Sequence, residues 1–151
     1  MYEAKLKEMG IDLPEAAKPL AAYIPAIQSG NYVYTSGQIP LVAGELKCKG
    51  KVGAQVSEEQ GYECAKICAI NCLSAIKGVI GSLDKIEQVV KVTGFVNSAP
   101  GFSAQPKIVN GASEFFGEVF GDAGKHTRSA VGVSELPIDS PVEVEVIVKL
   151  K

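Results

Sequence analysis

The sequence predicts an α+β domain of two layers, a mixed sheet with two helices on one of its faces. Three observations carry that expectation. Two segments, and only two, combine helical apolar periodicity with helix-start and helix-stop residues. The remaining apolar segments are short, rich in β-branched and aromatic residues, and bounded by Gly, Pro, Asn or Ser. The 151 residues contain no linker, repeat or low-complexity tract, so one domain spans 1–151. A chain of that length buries roughly two thirds of its unfolded surface.

Taken in order, residues 1–19 read as a short amphipathic lead-in ending at Pro14 and Pro19. A first strand is expected over Tyr23–Gln28, a turn at Ser29-Gly30-Asn31, and a second strand over Tyr32–Ser36 that stops at Gly37-Gln38-Ile39-Pro40. Leu41–Leu46 resembles a small ribbon. Ser57-Glu58-Glu59-Gln60 is a capping box, opening a helix that runs to Val79 and stops at Gly81. A long strand follows over Ile86–Ser98. Ser103 is the expected N-cap of a second helix through Phe120, ended by Gly121–Gly124. Two strands, Thr127–Val133 and Val142–Leu150, close the chain. The order is β-β-(β)-α-β-α-β-β. Val142, Val144, Val146 and Val148 alternate along one side of the last strand and are expected to meet the helices, while Ile147 faces the other way. A sheet with apolar residues on both faces and no third helix to cover it points to self-association.

Composition narrows the function. A net charge of -2, with 21% charged residues, gives no electrostatic footprint for nucleic acid. The N-terminus lacks a secretory apolar core and no stretch is long enough to span a bilayer, which makes a soluble cytoplasmic protein with no membrane partner the expectation. Cys64, Cys68 and Cys72 recur every four residues along one helix face, with Cys48 apart from them; without a CxxC pair and with a single histidine, His126, core packing is preferred to a metal site.

The last two strands, rich in Val, carry four charges, Arg128, Glu143, Glu145 and Lys149, of which Arg128 and Glu143 are the candidates for a site, Glu145 being read as solvated. The guanidinium fork suits two-point capture of a carboxylate or phosphate, and a carboxylate near it suits base chemistry. A strand-end arginine on a solvated face is the competing reading.

Several stretches together, LAAYIPAI, YVYTSGQIP, VVKVTGFVNS and RSAVGVSELP with VEVEVIV, resemble the YjgF/RidA family of enamine/imine deaminases, also called endoribonuclease L-PSP, over about Pro19 to Leu150. The resemblance implies a chorismate-mutase-like fold and a homotrimer with ligand clefts between subunits. It implies hydrolytic deamination of 2-enamine or 2-imine acids, such as 2-aminoacrylate, to 2-keto acids and ammonium, with no metal or cofactor. By the same resemblance Arg128 binds the substrate carboxylate and Glu143 positions the hydrolytic water. Tyr23, Ser36 and Gly37 line the cleft, and Asn110 corresponds to an asparagine near the start of the second helix. Ala130 stands where some members have cysteine, so no thiol chemistry is expected there. NSAPGFSAQP and the extended N-terminus set this chain apart from the compact bacterial form.

Each of these residues has a plainer reading. Tyr23 and Tyr34 serve as sheet residues with hydroxyls in water, Gly37 ends a strand, Asn110 lies on a helix surface, and His126 is an ordinary exposed histidine rather than one that tunes Arg128. Functional alternatives are a small-carboxylate-binding or regulatory protein without turnover and, further off, a ribonuclease or chaperone. If the last two strands form a hairpin around 135–141, Arg128 lies opposite residue 148. Glu143 is then offset by about five residues, roughly 16 Å. The pair is accordingly expected to converge only across a subunit boundary.

Overall fold

Residues 1–16 and 22–151 are described by a computed structural model. Its five-stranded mixed sheet has the order β1-β2-β7-β5-β6. The strands are β1 (Ala26–Ser29), β2 (Tyr32–Thr35), β5 (Ile86–Asn97), β6 (Thr127–Val133) and β7 (Val142–Leu150). β3 (Leu41–Val42) and β4 (Glu45–Leu46) form the separate ribbon, turning through Ala43 and Gly44, both at positive φ. The expected two-layer α+β architecture is present. The last residues of the lead-in, through Pro19, and Leu20-Ala21 at the head of the resemblance lie outside the described residues.

Helix α2 (Glu58–Ile80) begins as its sequence dictates. The Ser57 side chain accepts from the Gln60 N–H while the Gln60 side chain accepts from the Ser57 N–H, and Gly81 closes the helix at φ 83°. Helix α3 (Gln105–Phe120) departs from expectation at its start: the N-cap is Ala104, with no side-chain cap, and Pro106 occupies the first turn. Proline there needs no N–H partner, so Ser103 is not required as a cap. A third helix, α1 (Tyr2–Glu8), was not expected. It packs Leu6 into the core and sets Tyr2 edge-on against Phe120. The first strand starts at Ala26 rather than Tyr23, leaving Tyr23 and Ile24 in a loop before Pro25.

α2 and α3 cover one face of the sheet. Val142, Val144, Val146 and Val148 are buried beneath them with Val92 and Val96. Small residues set the closeness of the layers. A Cβ on Gly94 would lie 2.4 Å from Val109, and one on Gly111 would lie 2.0 Å from the Tyr62 carbonyl oxygen, so α3 presses against both the sheet and α2. Cys68 and Cys72 are buried, their thiols 3.8 Å and 3.3 Å from the Val142 and Val144 carbonyl oxygens, which is the core role read from their spacing. Cys48 does not stand apart: its Sγ lies 2.9 Å from that of Cys64. The opposite sheet face carries Ile27, Tyr34 and Val131, each between 40% and 60% exposed, beside Phe95 and Ile147. Among the described residues no helix is long and apolar enough to cross a membrane.

The expected terminal hairpin does not exist. β6 pairs in parallel with β5, and β7 pairs antiparallel with β5 on its other side and with β2 beyond. The connection over 134–141, with Ile138 and Asp139 at positive φ, carries the chain past β5 instead of folding it back.

Candidate functional site

Glu143 lies on the face away from the helices, because it alternates with the buried valines of β7. What stands over it is set by a bulge. Tyr34 pairs with Ile147 and Gln38 with Val144, so four steps along one strand (34 to 38) match three along the other (147 to 144). The extra residue falls in Thr35-Ser36-Gly37, and bulges of this kind redirect side chains next to sites. Within it the Thr35 hydroxyl accepts from the Val146 N–H at 3.0 Å, replacing a ladder bond. Gly37 is brought so close to Glu143 that an added Cβ would lie 2.4 Å from Oε2. Partial burial, and secondarily the charge of Glu145 two residues along, push the Glu143 carboxyl above the usual range. A carboxylate so placed is a better proton acceptor than a fully solvated one.

The Ser36 hydroxyl donates to the Ile24 carbonyl at 2.6 Å, and the Ser36 N–H donates to the Pro25 carbonyl at 2.7 Å. Ser36 therefore pins the loop that carries Tyr23, and its oxygen keeps lone pairs free to accept. Tyr23 is 60% exposed. It lines, with Gly37, Gln38 and Asn71, a cavity of about 730 Å³ between the ribbon, α2 and the N-terminal segment. Neither Arg128 nor Glu143 lines that cavity.

Arg128 sits on edge strand β6, in register with Val92, and shares the helix-facing side of the sheet. Its Nη1 donates to Asn110 Oδ1 at 2.8 Å and to Ser113 Oγ at 3.2 Å, two residues of α3 three positions apart. Asn110 is thus a partner of the arginine rather than a bystander on a helix surface. Nη1 has two hydrogens and both are engaged, whereas Nε and Nη2 have no hydrogen-bond partner among the described residues, and no carboxylate there pairs with this guanidinium. Those two nitrogens form the edge that grips a carboxylate at two points.

His126 is not the exposed histidine the sequence suggested. Its Nε2 lies 2.8 Å from Ser113 Oγ, its Nδ1 lies 2.6 Å from the Gly124 carbonyl oxygen, and its ring meets Phe116 edge-on. Ser113 was missed by sequence reasoning. The available signal was its position three residues after Asn110 on a helix face otherwise given to Val109 and Ala112.

The structure thus gathers two groups of residues: Ser36, Gly37 and Glu143 around the bulge, with Tyr23 on the loop that Ser36 pins, and Asn110, Ser113, His126 and Arg128 where α3 meets β6. Within one chain they do not meet. Val92 is level with both Arg128 and Val146, so Glu143 is displaced by two strands laterally and three residues axially, about 14 Å, and faces the other side of the sheet. The separation expected from a hairpin persists for a different reason, the interposed β5. No group of three His, Cys, Asp or Glu among the described residues is placed to hold a metal.

Residues 3–150 match the family model described as "YjgF/chorismate_mutase-like, putative endoribonuclease". Protein TCP17 of Trypanosoma cruzi is 40% identical over 97% of this chain and 92% of its own length. A 2-iminobutanoate/2-iminopropanoate deaminase of Dermatophagoides farinae is 33% identical over 93% of this chain and 95% of its own. The crystal structure of Atu1372 from Agrobacterium tumefaciens, a protein of unknown function, superposes with a TM-score of 0.92 at 40% identity, covering 99% of this chain and 92% of that one. With a family model matched over residues 3–150 and relatives 33–40% identical over nearly the whole length, this chain belongs to the YjgF/chorismate-mutase-like family.

Proposed function

We propose that the protein hydrolyses reactive 2-enamine and 2-imine acids such as 2-aminoacrylate to 2-keto acids and ammonium, in a cleft that a neighbouring copy completes within a homotrimer. The observation that carries this reading is the tethered guanidinium of Arg128, whose Nη1 is spent on α3 and whose Nε/Nη2 edge stands without a protein partner among the described residues. The name of the mite relative, a deaminase of 2-imino acids, supports the same substrate class. The uncovered apolar face around Ile27, Tyr34 and Val131 supports the assembly.

In this reading Arg128 holds the substrate carboxylate at two points. The enamine accepts a proton on carbon to become the iminium. Glu143 of a neighbouring copy takes a proton from water as that water adds to the C=N carbon. The carbinolamine nitrogen takes that proton back from Glu143, the C–N bond breaks, and the hydroxyl proton passes to the departing ammonia, leaving the keto acid and ammonium. Ser36, its hydrogen committed to Ile24, accepts a hydrogen bond from the substrate nitrogen. Enamine and imine hydrolysis is intrinsically easy, so orientation supplies the acceleration. The endoribonuclease in the family description is not favoured for this chain, whose net charge of -2 offers no phosphate footprint.

The test is complementation. Arg128→Ala and Glu143→Gln homo-oligomers are each expected to be inactive towards 2-aminoacrylate generated by a serine dehydratase. Unfolded together and co-refolded, they are expected to regain part of the wild-type activity. No recovery in verified mixed oligomers, or full activity in either variant alone, overturns the proposal.

A further inference from the structure

We propose that Ser113 and His126 are positioning residues that brace Arg128 and fix which edge of its guanidinium meets the substrate; this rests on Arg128 being the carboxylate anchor. The hydrogen bonds link the three side chains in one direction. Arginine only donates, so Ser113 Oγ accepts from Nη1 at 3.2 Å. A carbonyl only accepts, so the proton on Nδ1 of His126 is directed at Gly124, 2.6 Å away. In the neutral ring Nε2 is then the acceptor, and it takes the Ser113 hydroxyl hydrogen at 2.8 Å. With the proton on Nδ1 the contacts form a directional chain, Arg128 to Ser113 to His126, with the far side of the ring donating to Gly124.

The chain ends in rigid structure. A Cβ on Gly124 would lie 2.4 Å from the Phe116 carbonyl oxygen, so the turn carrying that acceptor is pressed onto α3, and Phe116 itself is fully buried. Asn110 alone would give Nη1 one point of attachment and leave the guanidinium plane free to swivel about it. Asn110 and Ser113 together, one helical turn apart, fix the plane. The fork that remains is aimed before any ligand arrives, and a preorganised donor pair binds without the cost of being ordered. Since the carboxylate is not the reacting group, loss of the brace is expected in KM and in ligand affinity, with kcat changed far less.

The experiment compares wild-type protein with Ser113→Ala, His126→Asn, His126→Gln and Arg128→Ala by pyruvate binding in a calorimeter, 2-aminoacrylate kinetics and thermal melting. Asparagine reproduces the Nδ1 position and keeps only the Gly124 contact; glutamine reproduces Nε2 and keeps Ser113. Both lose the ring against Phe116, so a purely structural role weakens them alike. Ser113→Ala and His126→Asn are expected to bind pyruvate roughly five- to tenfold more weakly, the loss of one hydrogen bond, with KM raised to match. His126→Gln is expected to stay within about twofold. Equal losses in the Asn and Gln variants, or wild-type binding in Ser113→Ala while Arg128→Ala binds nothing, overturns the brace. Wild-type affinity in Arg128→Ala, or no pyruvate uptake by the wild type, overturns the anchor reading as well.

Discussion

Gly37→Ala isolates the placement of one carboxylate from the stability of the fold. Gly37 is not at positive φ, so alanine meets no backbone penalty there. Its methyl would arrive 2.4 Å from Glu143 Oε2, 2.7 Å from Cδ and 3.0 Å from Cγ. Ordinary contact begins near 3.4 Å, so the carboxylate has to retreat by about 1 Å. Because the obstructed group is the end of a flexible side chain on a half-open face, the retreat is a rotamer change, and melting is expected to shift by no more than about 2 °C. Catalysis is less tolerant: a displacement of that size at a reacting group costs about 100-fold. Steady-state kinetics on 2-aminoacrylate produced by a serine dehydratase, with keto acid read by a coupled dehydrogenase, should show kcat reduced by that factor and KM within about threefold. Full kcat in a folded Gly37→Ala protein would refute the role given to Glu143, and a collapse in melting temperature would refute the account of the contact.

Three further outcomes follow from the same structure. Glu143→Gln should be inactive yet melt about 1–3 °C higher at pH 8. A carboxyl with a raised folded-state pKa opposes folding once ionised, so that gain should shrink as pH falls and both residues become neutral. Equal melting at pH 8 counts against the burial of the charge. Gly111→Ala should destabilise by about 2 kcal/mol or more, because the obstructing atom is the backbone oxygen of Tyr62, 2.0 Å from the new methyl; urea unfolding measures it. Thr35→Val, which keeps the side-chain shape, should cost about 1–3 kcal/mol by orphaning the buried Val146 N–H, and amide exchange at Val146 should accelerate.

Much of the fold is written in local patterns. The capping box at Ser57, the alternating valines of β7 and the turn at Ala43-Gly44 each specify their element through nearest neighbours, and the structure agrees with them. Pairing is a different matter. Whether Val142–Leu150 folds back on Thr127–Val133 or crosses to the far side of β5 depends on long-range competition that neither strand's own residues encode, and the hairpin expectation failed there. α1 escaped notice because seven residues bury essentially one leucine. At the site, Arg128 and Glu143 stand out as charges in apolar strands. Ser113, and the link through it from His126 to Arg128, become visible only once α3 lies across β6, and the bulge at Thr35-Ser36-Gly37 only once β2 and β7 are in register.

The last strand of the sequence occupies the middle of the sheet, bonded to β2 on one edge and β5 on the other. Until Val142–Leu150 arrives, the amino-terminal hairpin and the β5–β6 pair have no strand to join them, and the part of α2 that packs on β7 lacks its cover. During synthesis the sheet therefore cannot close until Val142–Leu150 has emerged from the ribosome. Deletion of Val142–Leu150 would remove the keystone of the arch rather than trim its margin.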